Sequence, residues 1–135
     1  MPQDEGAGGL DLSGVWHGQF SYPRAVPPTS FVATITETNS WIHGVTEETA
    51  RVGEMRGRTL SATLQGRRTG RRVVWLKIYH GALREYDTVP YEGEVNEDGT
   101  EIEGRWTLKS WSGRFMMVRA GAKAAAQRRK AAAKV

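Results

Sequence analysis

Few residues in this sequence have the types and the spacing that catalysis or metal binding requires. His17, His43 and His80 are the only histidines, and no two of them have the spacing of metal ligands. The sequence contains no cysteine, no Gly-x-Ser-x-Gly turn and no glycine-rich phosphate loop. We therefore expect no metal and no cofactor, and catalysis is unsupported rather than excluded.

Lys77 is a candidate acid–base or Schiff-base residue if its side chain faces the inside of the fold. Burial would lower its pKa, and Glu48 or Glu92 would then be its partner. On an outward-facing position it would be an ordinary surface lysine. The pattern leaves both orientations open, because simple alternation of apolar residues buries Val74 and Leu76 instead.

Eight short segments, or runs, in which inward-facing and outward-facing residues alternate would have to position the histidines and Lys77. Trp16, Gly18, Phe20 and Tyr22 form one face of the first run. Turn signals separate the runs, which span residues 12–22, 31–36, 41–47, 60–66, 73–80, 91–96, 101–109 and 114–119. Closing such a chain on itself removes the unpaired edges. The sequence therefore predicts an all-β, eight-stranded antiparallel up-and-down barrel.

Length and charge distribution indicate one small domain between two flexible ends. The 135 residues fit one barrel at 12–119, preceded by a glycine-rich segment at 1–11 that we expect to be disordered. Five of the 19 Lys and Arg residues, and no acid, lie in the flexible tail at 120–135, which leaves 14 against 15 Asp and Glu elsewhere. No apolar run approaches the roughly 20 residues that cross a bilayer, and residues 1–9 do not resemble a signal peptide. We expect a cytoplasmic protein without membrane contact.

Two clusters of cations predict a second kind of partner. One cluster surrounds the turn after the fourth run and the other lies in the tail; the members are Arg67, Arg68, Arg71 and Arg72, then Arg128, Arg129 and Lys130. Both would contact phosphates and give weak, non-specific binding to nucleic acid. The alternative interpretation is a charged hairpin tip and a solubilising tail, because the barrel itself is nearly neutral and shows no exposed aromatic ladder.

A short motif at each end of the barrel segment resembles the structural signature of the calycins, the superfamily of lipocalins, fatty-acid-binding proteins and avidins. The motif is Gly14-Val15-Trp16 on the first run with Arg119 on the last, and the resemblance implies that Arg119 packs across Trp16. Within the superfamily, the order of motifs along residues 12–119 is most similar to that of the avidins and streptavidins. These motifs are Ser-Gly-Val-Trp at 13–16, Ile-His-Gly-Val-Thr-Glu at 42–47, Leu-Gln-Gly-Arg at 64–67, Val-Trp-Leu-Lys at 74–77, Tyr-Glu-Gly at 91–93 and the segment around Trp106 at 102–108.

The avidin resemblance implies a ligand cavity at one mouth of the barrel. Trp75 and Trp106 match two aromatic walls of the biotin pocket, and Tyr91 stands where a third tryptophan is usual. The polar biotin ligands are largely not preserved, since other residue types occupy their positions: Gly18, Tyr22, Thr46, Glu48 and Val89. Because unpaired buried polar groups are costly, we expect no tight biotin binding.

We expect the cavity to bind a small, partly aromatic or apolar ligand instead. The residues expected at the ligand are Tyr22, Thr46, Glu48, Trp75, Lys77, Tyr79, Tyr91 and Trp106. The resemblance also turns Val74, Leu76 and Ile78 outward, where an apolar stripe normally marks an interface, so we expect a homo-oligomer. The alternative function is a non-enzymatic interaction module that uses its outer faces and its basic tail.

Overall fold

The computed structural model describes residues 10–23, 27–50, 56–81 and 88–121. Its strands are β1 (Gly14–Phe20), β2 (Thr29–Thr38), β3 (Trp41–Thr49), β4 (Thr59–Thr69), β5 (Arg72–Tyr79), β6 (Thr88–Val95), β7 (Glu101–Leu108) and β8 (Trp111–Arg119). Each strand pairs antiparallel with the next, and β8 pairs with β1, which closes a barrel in chain order. The predicted fold class, an all-β eight-stranded antiparallel up-and-down barrel, is confirmed. Most of the predicted N-terminal segment and of the tail, with Arg128, Arg129 and Lys130, lies outside the described residues.

Two-residue turns set the register of several hairpins. Asn39 and Ser40 both have positive φ, 51° and 72°, the backbone pattern of a turn that matches the twist of paired strands. A two-residue turn with a positive φ at Lys109 follows β7, so that Trp111 pairs directly with Leu108 and β8 begins earlier than the predicted 114–119. The sequence did not predict this start because glycine is uncommon inside strands. Glycine is needed at position 113 because a Cβ there would lie 2.0 Å from the carbonyl oxygen of Ser21.

Two glycines inside strands allow neighbouring strands to approach more closely than a side chain would permit. A Cβ on Gly66 would lie 1.9 Å from the carbonyl oxygen of Val74, and one on Gly104 would lie 2.0 Å from that of Glu92. Such close approaches occur where strands bend, and a small barrel needs these bends to close.

The chain that enters β1 plugs one end of the barrel, which we call the closed end. Leu12 is fully buried, and the Trp16 indole nitrogen donates to its carbonyl oxygen at 2.9 Å. The Arg119 guanidinium lies 4.6 Å from the ring centroid of Trp16, the arrangement that the calycin resemblance implies. It also donates to the carbonyl oxygens of Asp11, Ser13 and Gly99. The last strand therefore holds the plug in place.

Alternate residues of each strand face the interior. On β5 the buried residues are Val73, Trp75 and Lys77, whereas Val74 is 39% and Leu76 is 42% exposed. Both faces of this strand contain large apolar side chains, so simple alternation gave the wrong face. The observed orientation is the one expected from the resemblance, and it brings Trp75 and Lys77 into the barrel.

Candidate ligand-binding site

The candidate site lies near the end of the barrel opposite the closed end, where β1, β3, β5 and β7 finish; we call it the loop end. The connections from β1 to β2, from β3 to β4 and from β5 to β6 leave the barrel here. Parts of these connections, residues 24–26, 51–55 and 82–87, lie outside the described residues. Glu48 and Tyr79 lie within the last two residues of β3 and β5, and Tyr22 lies two residues beyond the end of β1. Strand direction therefore brings the predicted polar residues of the site to one end.

A buried ion pair occupies the interior near the loop end. The Lys77 Nζ donates to Glu48 Oε1 at 2.5 Å, and the Tyr79 hydroxyl donates to Glu48 Oε2 at 2.8 Å. Lys77 is 1% and Glu48 is 6% exposed. Glu92, the other partner considered from the sequence, points to the outer face of β6. Each charge is tolerated at this depth because the other neutralises it.

Four aromatic rings surround the Lys77 ammonium group. The distances from Nζ to the ring centroids are 4.8 Å for Phe20, 5.1 Å for Phe31, 4.9 Å for Tyr79 and 5.8 Å for Tyr91. Ring faces attract a cation at such distances, more strongly where water is excluded. Phe20 and Phe31 are absent from the predicted site, although the inward parity of both residues on their strands could have identified them.

Burial shifts the pKa values of Lys77 and of three tyrosines at the site. Burial lowers the pKa of Lys77, and the Glu48 carboxylate partly opposes that shift. Burial and the Glu48 charge together raise the pKa of Tyr79 and, well above its usual value, that of Tyr91. Burial also raises the pKa of Tyr22. These tyrosines act near neutral pH as hydrogen-bonding hydroxyl groups rather than as anions.

The predicted aromatic residues pack against one another on the inner face of the barrel. The rings of Tyr22 and Trp106 meet edge to face with centroids 6.0 Å apart, and the Trp106 indole nitrogen donates to the carbonyl oxygen of Ser21. The rings of Trp75 and Tyr91 stack with centroids 6.2 Å apart. Tyr91 and Trp106 are direct partners across β6 and β7, so the two ring pairs occupy neighbouring positions in the wall of the barrel.

Two buried polar atoms of the predicted site have no hydrogen-bond partner within the part of the chain that the structure describes. They are Thr46 Oγ1 and Trp75 Nε1. Thr46 pairs across the strands with Ala33 and Ala62, whose side chains are small. Leaving a buried polar group unpaired costs about 1–3 kcal/mol. A bound molecule that supplies the missing partners would offset this cost.

Comparison of the sequence with protein-family models and with curated proteins finds no match. The closed antiparallel barrel of eight strands is consistent with a calycin-like fold. Within residues 10–23, 27–50, 56–81 and 88–121, no group of three or more His, Asp or Glu side chains is placed to hold a metal ion. The same residues contain no helix long and apolar enough to cross a membrane.

An apolar groove lies on the outside of the barrel across β4 to β7. Its volume is about 520 Å³. Its lining combines apolar residues with charges of both signs, namely Val74, Leu76 and Pro90 with Arg67, Glu92 and Arg105. The outward apolar stripe expected on β5 is therefore one wall of a concave surface.

Three of the four arginines near the turn between β4 and β5 reach solvent. Arg67 and Arg72 are exposed and Arg71 is half-buried. The Arg67 guanidinium lies 4.7 Å from the ring centroid of Trp41, and Arg72 forms a loose ion pair with Glu92 at 3.8 Å. These cations are accessible but are partly balanced by neighbouring groups.

Arg68 differs from the other arginines of the turn. It is 3% exposed, and its guanidinium contacts the Glu37 carboxylate at 2.7 Å and donates to the carbonyl oxygens of Gly70 and Leu10. This placement corrects the grouping of Arg68 with the polyanion-binding residues. Its position on β4 has inward parity, and its contacts make it part of the closed end.

Proposed function

We propose that the barrel binds a small, neutral, partly aromatic ligand in its interior near the loop end. The observation that carries this proposal is that two buried atoms, Thr46 Oγ1 and Trp75 Nε1, find no hydrogen-bond partner among the described residues. If the interior were only a packed core, apolar residues at these two positions would avoid the cost of unpaired polar groups. A few polar groups among aromatic walls are typical of small-molecule sites.

The site residues indicate the chemistry of this ligand. The Trp75 indole N–H can only donate, so the ligand needs an acceptor such as a carbonyl or ether oxygen, whereas the Thr46 hydroxyl can donate or accept. Lys77 and Glu48 neutralise each other, so a ligand with net charge would lose its hydration without finding a free counter-charge. The stacked rings of Trp75 and Tyr91 favour a planar apolar group.

We also propose that the chain is similar to the avidins in fold while its cavity takes a ligand other than biotin. The order of the short motifs and the eight-stranded closed barrel support the first part. The second part is supported by Glu48, which occupies a position where the resemblance implies a biotin ligand. Its oxygens already accept hydrogen bonds from Lys77 and Tyr79. Calorimetry that detects submicromolar affinity for biotin would contradict this proposal.

Native mass spectrometry of the protein purified from its own host, before and after denaturation, is the direct test of ligand binding. We expect a small molecule that is released on unfolding. Calorimetry with that molecule then compares Trp75→Phe, which removes the unpaired N–H, with Trp111→Phe on the outer surface as the matched control. Affinity should fall for Trp75→Phe and stay unchanged for Trp111→Phe. A clean apo mass, or equal affinities for both variants, would reject the proposed site.

The outer groove supports a second proposal, that two copies of this chain associate through it. Val74 and Leu76 present apolar side chains to solvent, which a partner surface would cover. The groove also contains a cation, Arg67, and an anion, Glu92. In a two-fold symmetric dimer, Arg67 of one copy can face Glu92 of the other. A charged substitution in the groove, described in the Discussion, tests this association.

Binding of nucleic acid remains a prediction. It depends on Arg67, Arg71 and Arg72 and on cations outside the described residues, and it no longer includes Arg68. Contacts to phosphates would make the affinity fall steeply with added salt. Electrophoretic mobility shifts with single-stranded DNA at low and moderate salt test this, and a salt-independent or absent shift would contradict it.

A further inference from the structure

The Lys77 nitrogen has fewer hydrogen-bond acceptors than an ammonium group needs. Its one hydrogen bond among the described residues goes to Glu48, and the rings of Phe20, Phe31 and Tyr91 lie around it. An ammonium group carries three N–H donors, so two of them meet no oxygen or nitrogen acceptor in the part of the chain that the structure describes. The rings attract the cation but supply no oxygen or nitrogen acceptor, so a neutral amine needs fewer hydrogen bonds here, and its lone pair is nucleophilic.

A purely structural role accounts poorly for this arrangement. Replacing a buried ion pair by apolar residues of similar volume is often neutral or stabilising, so the pair is weak evidence for a stabilising function. Lysines that react with carbonyl groups are activated by desolvation in apolar pockets, and Lys77 is buried among aromatic rings. A carboxylate within hydrogen-bond distance supplies the proton transfer that such a reaction requires.

We propose that Lys77 captures the carbonyl group of an aldehyde or ketone ligand as a reversible imine, with Glu48 moving the protons. This inference rests on the proposed function, because the carbonyl compound must first enter the interior near the loop end. Tyr79 is a positioning residue, since its hydroxyl holds the second oxygen of the Glu48 carboxylate at 2.8 Å. The ligand class is thereby narrowed to aromatic or apolar compounds with a reactive carbonyl group.

Glu48 first accepts a proton from the Lys77 ammonium group, which frees the amine. The amine nitrogen then forms a bond to the carbonyl carbon, and a proton moves from nitrogen to oxygen to give a carbinolamine. Glu48 returns its proton to the hydroxyl group, the C–O bond breaks, and the nitrogen lone pair completes the C=N bond. The products are a protonated imine, one water molecule and the Glu48 carboxylate, so the net charge is unchanged and no oxidant or reductant is needed.

Reductive trapping on the full chain tests this proposal. The protein is incubated near neutral pH with 2-naphthaldehyde and sodium cyanoborohydride, which reduces an imine to a stable secondary amine. Peptide mass mapping then compares labelling at Lys77 with labelling at Lys109, an exposed lysine in the turn before β8. A parallel reaction uses formaldehyde, which is small enough to remove ligand size as a variable. Calorimetry with 2-naphthalenemethanol, which has the same rings and no carbonyl group, measures non-covalent binding alone.

We expect Lys77 to be labelled faster than Lys109, because burial lowers the pKa of Lys77 and so raises its free-amine fraction. Adding 2-naphthalenemethanol should slow labelling by 2-naphthaldehyde at Lys77 and leave Lys109 unaffected. Glu48→Gln should slow imine formation, because it removes the group that transfers protons, while Lys109→Arg should change nothing at Lys77.

Labelling of Lys77 by neither aldehyde, or no faster than that of Lys109, would overturn the proposal. In that case the alcohol separates two failures. If 2-naphthalenemethanol binds while Lys77 stays unlabelled, the ligand cavity stands and carbonyl capture is wrong. If the alcohol does not bind either, the result counts against the proposed function as well.

Discussion

Replacing Lys77 with methionine would measure how strongly the buried ion pair is coupled to folding. Methionine keeps much of the side-chain volume but leaves the Glu48 carboxylate with Tyr79 as its described hydrogen-bond donor. The two side chains of the pair are 2% and 3% exposed, so water cannot easily replace the lost ammonium group. Removing one partner of such a pair costs about 3–5 kcal/mol. That is a large part of the roughly 5–15 kcal/mol that keeps a typical domain folded.

Two matched variants make this prediction specific. Lys77→Met combined with Glu48→Leu removes both charges and should recover most of the lost stability, because apolar replacement of a buried pair is often neutral or stabilising. Arg72→Ala breaks the exposed pair with Glu92 and should cost less than about 1 kcal/mol. Urea unfolding followed by tryptophan fluorescence gives the free energies of unfolding. The reasoning is refuted if Lys77→Met costs no more than Arg72→Ala, or if the double variant is less stable than Lys77→Met.

Three further predictions address the unpaired hydroxyl, the buried tyrosines and the outer groove. Thr46→Val should raise the free energy of unfolding of the ligand-free protein by about 1 kcal/mol and weaken ligand binding, because it removes a buried group without a partner; lower stability in thermal or urea unfolding would contradict this. The raised pKa of Tyr91 means that the unfolded chain loses this proton first as pH rises above about 10, so stability should fall there by up to about 1.4 kcal/mol per pH unit. Tyr91→Phe should remove that share of the slope in urea unfolding measured between neutral and alkaline pH, and an unchanged slope would show that Tyr91 does not cause it. If two copies associate through the groove as proposed, analytical ultracentrifugation should find a dimer for the wild type and for Val15→Glu on the outer face of β1, and a monomer for Leu76→Glu. The same mass for the wild type and Leu76→Glu would reject the groove as the interface.

The barrel could be predicted from the sequence because the patterns that indicate strands and turns lie within short segments of the chain. Alternation, turn residues such as Asn39-Ser40 and the need to pair every edge together leave few other arrangements for eight short strands. The orientation of β5 was harder to predict, because the outward face carries the apolar residues Val74 and Leu76 while the inward face includes the charged Lys77. There the motif resemblance decided correctly where hydrophobic alternation did not.

The predictions from sequence failed for side chains whose role depends on residues far away in the chain. Arg68 stands in a run of arginines that looks like an exposed tip, yet its guanidinium meets Glu37 across the closed end. The inward parity that it shares with Leu60 and Leu64 was the available signal. Ring contacts around Lys77 and the missing partner of Trp75 depend on three-dimensional distances, which a sequence pattern does not contain.

The plug at the closed end has a consequence for how the chain folds. The pairing that completes the barrel joins Trp16 to Arg119, almost the largest separation that the barrel segment offers. Closing such a long loop is slow, because its entropy is lost before the contacts form. Until β8 docks, the sheet has two unpaired edges, at β1 and at β7, where other chains can add. The pairing of β8 with β1 thus removes both sheet edges and, through Arg119, fixes the plug at the closed end.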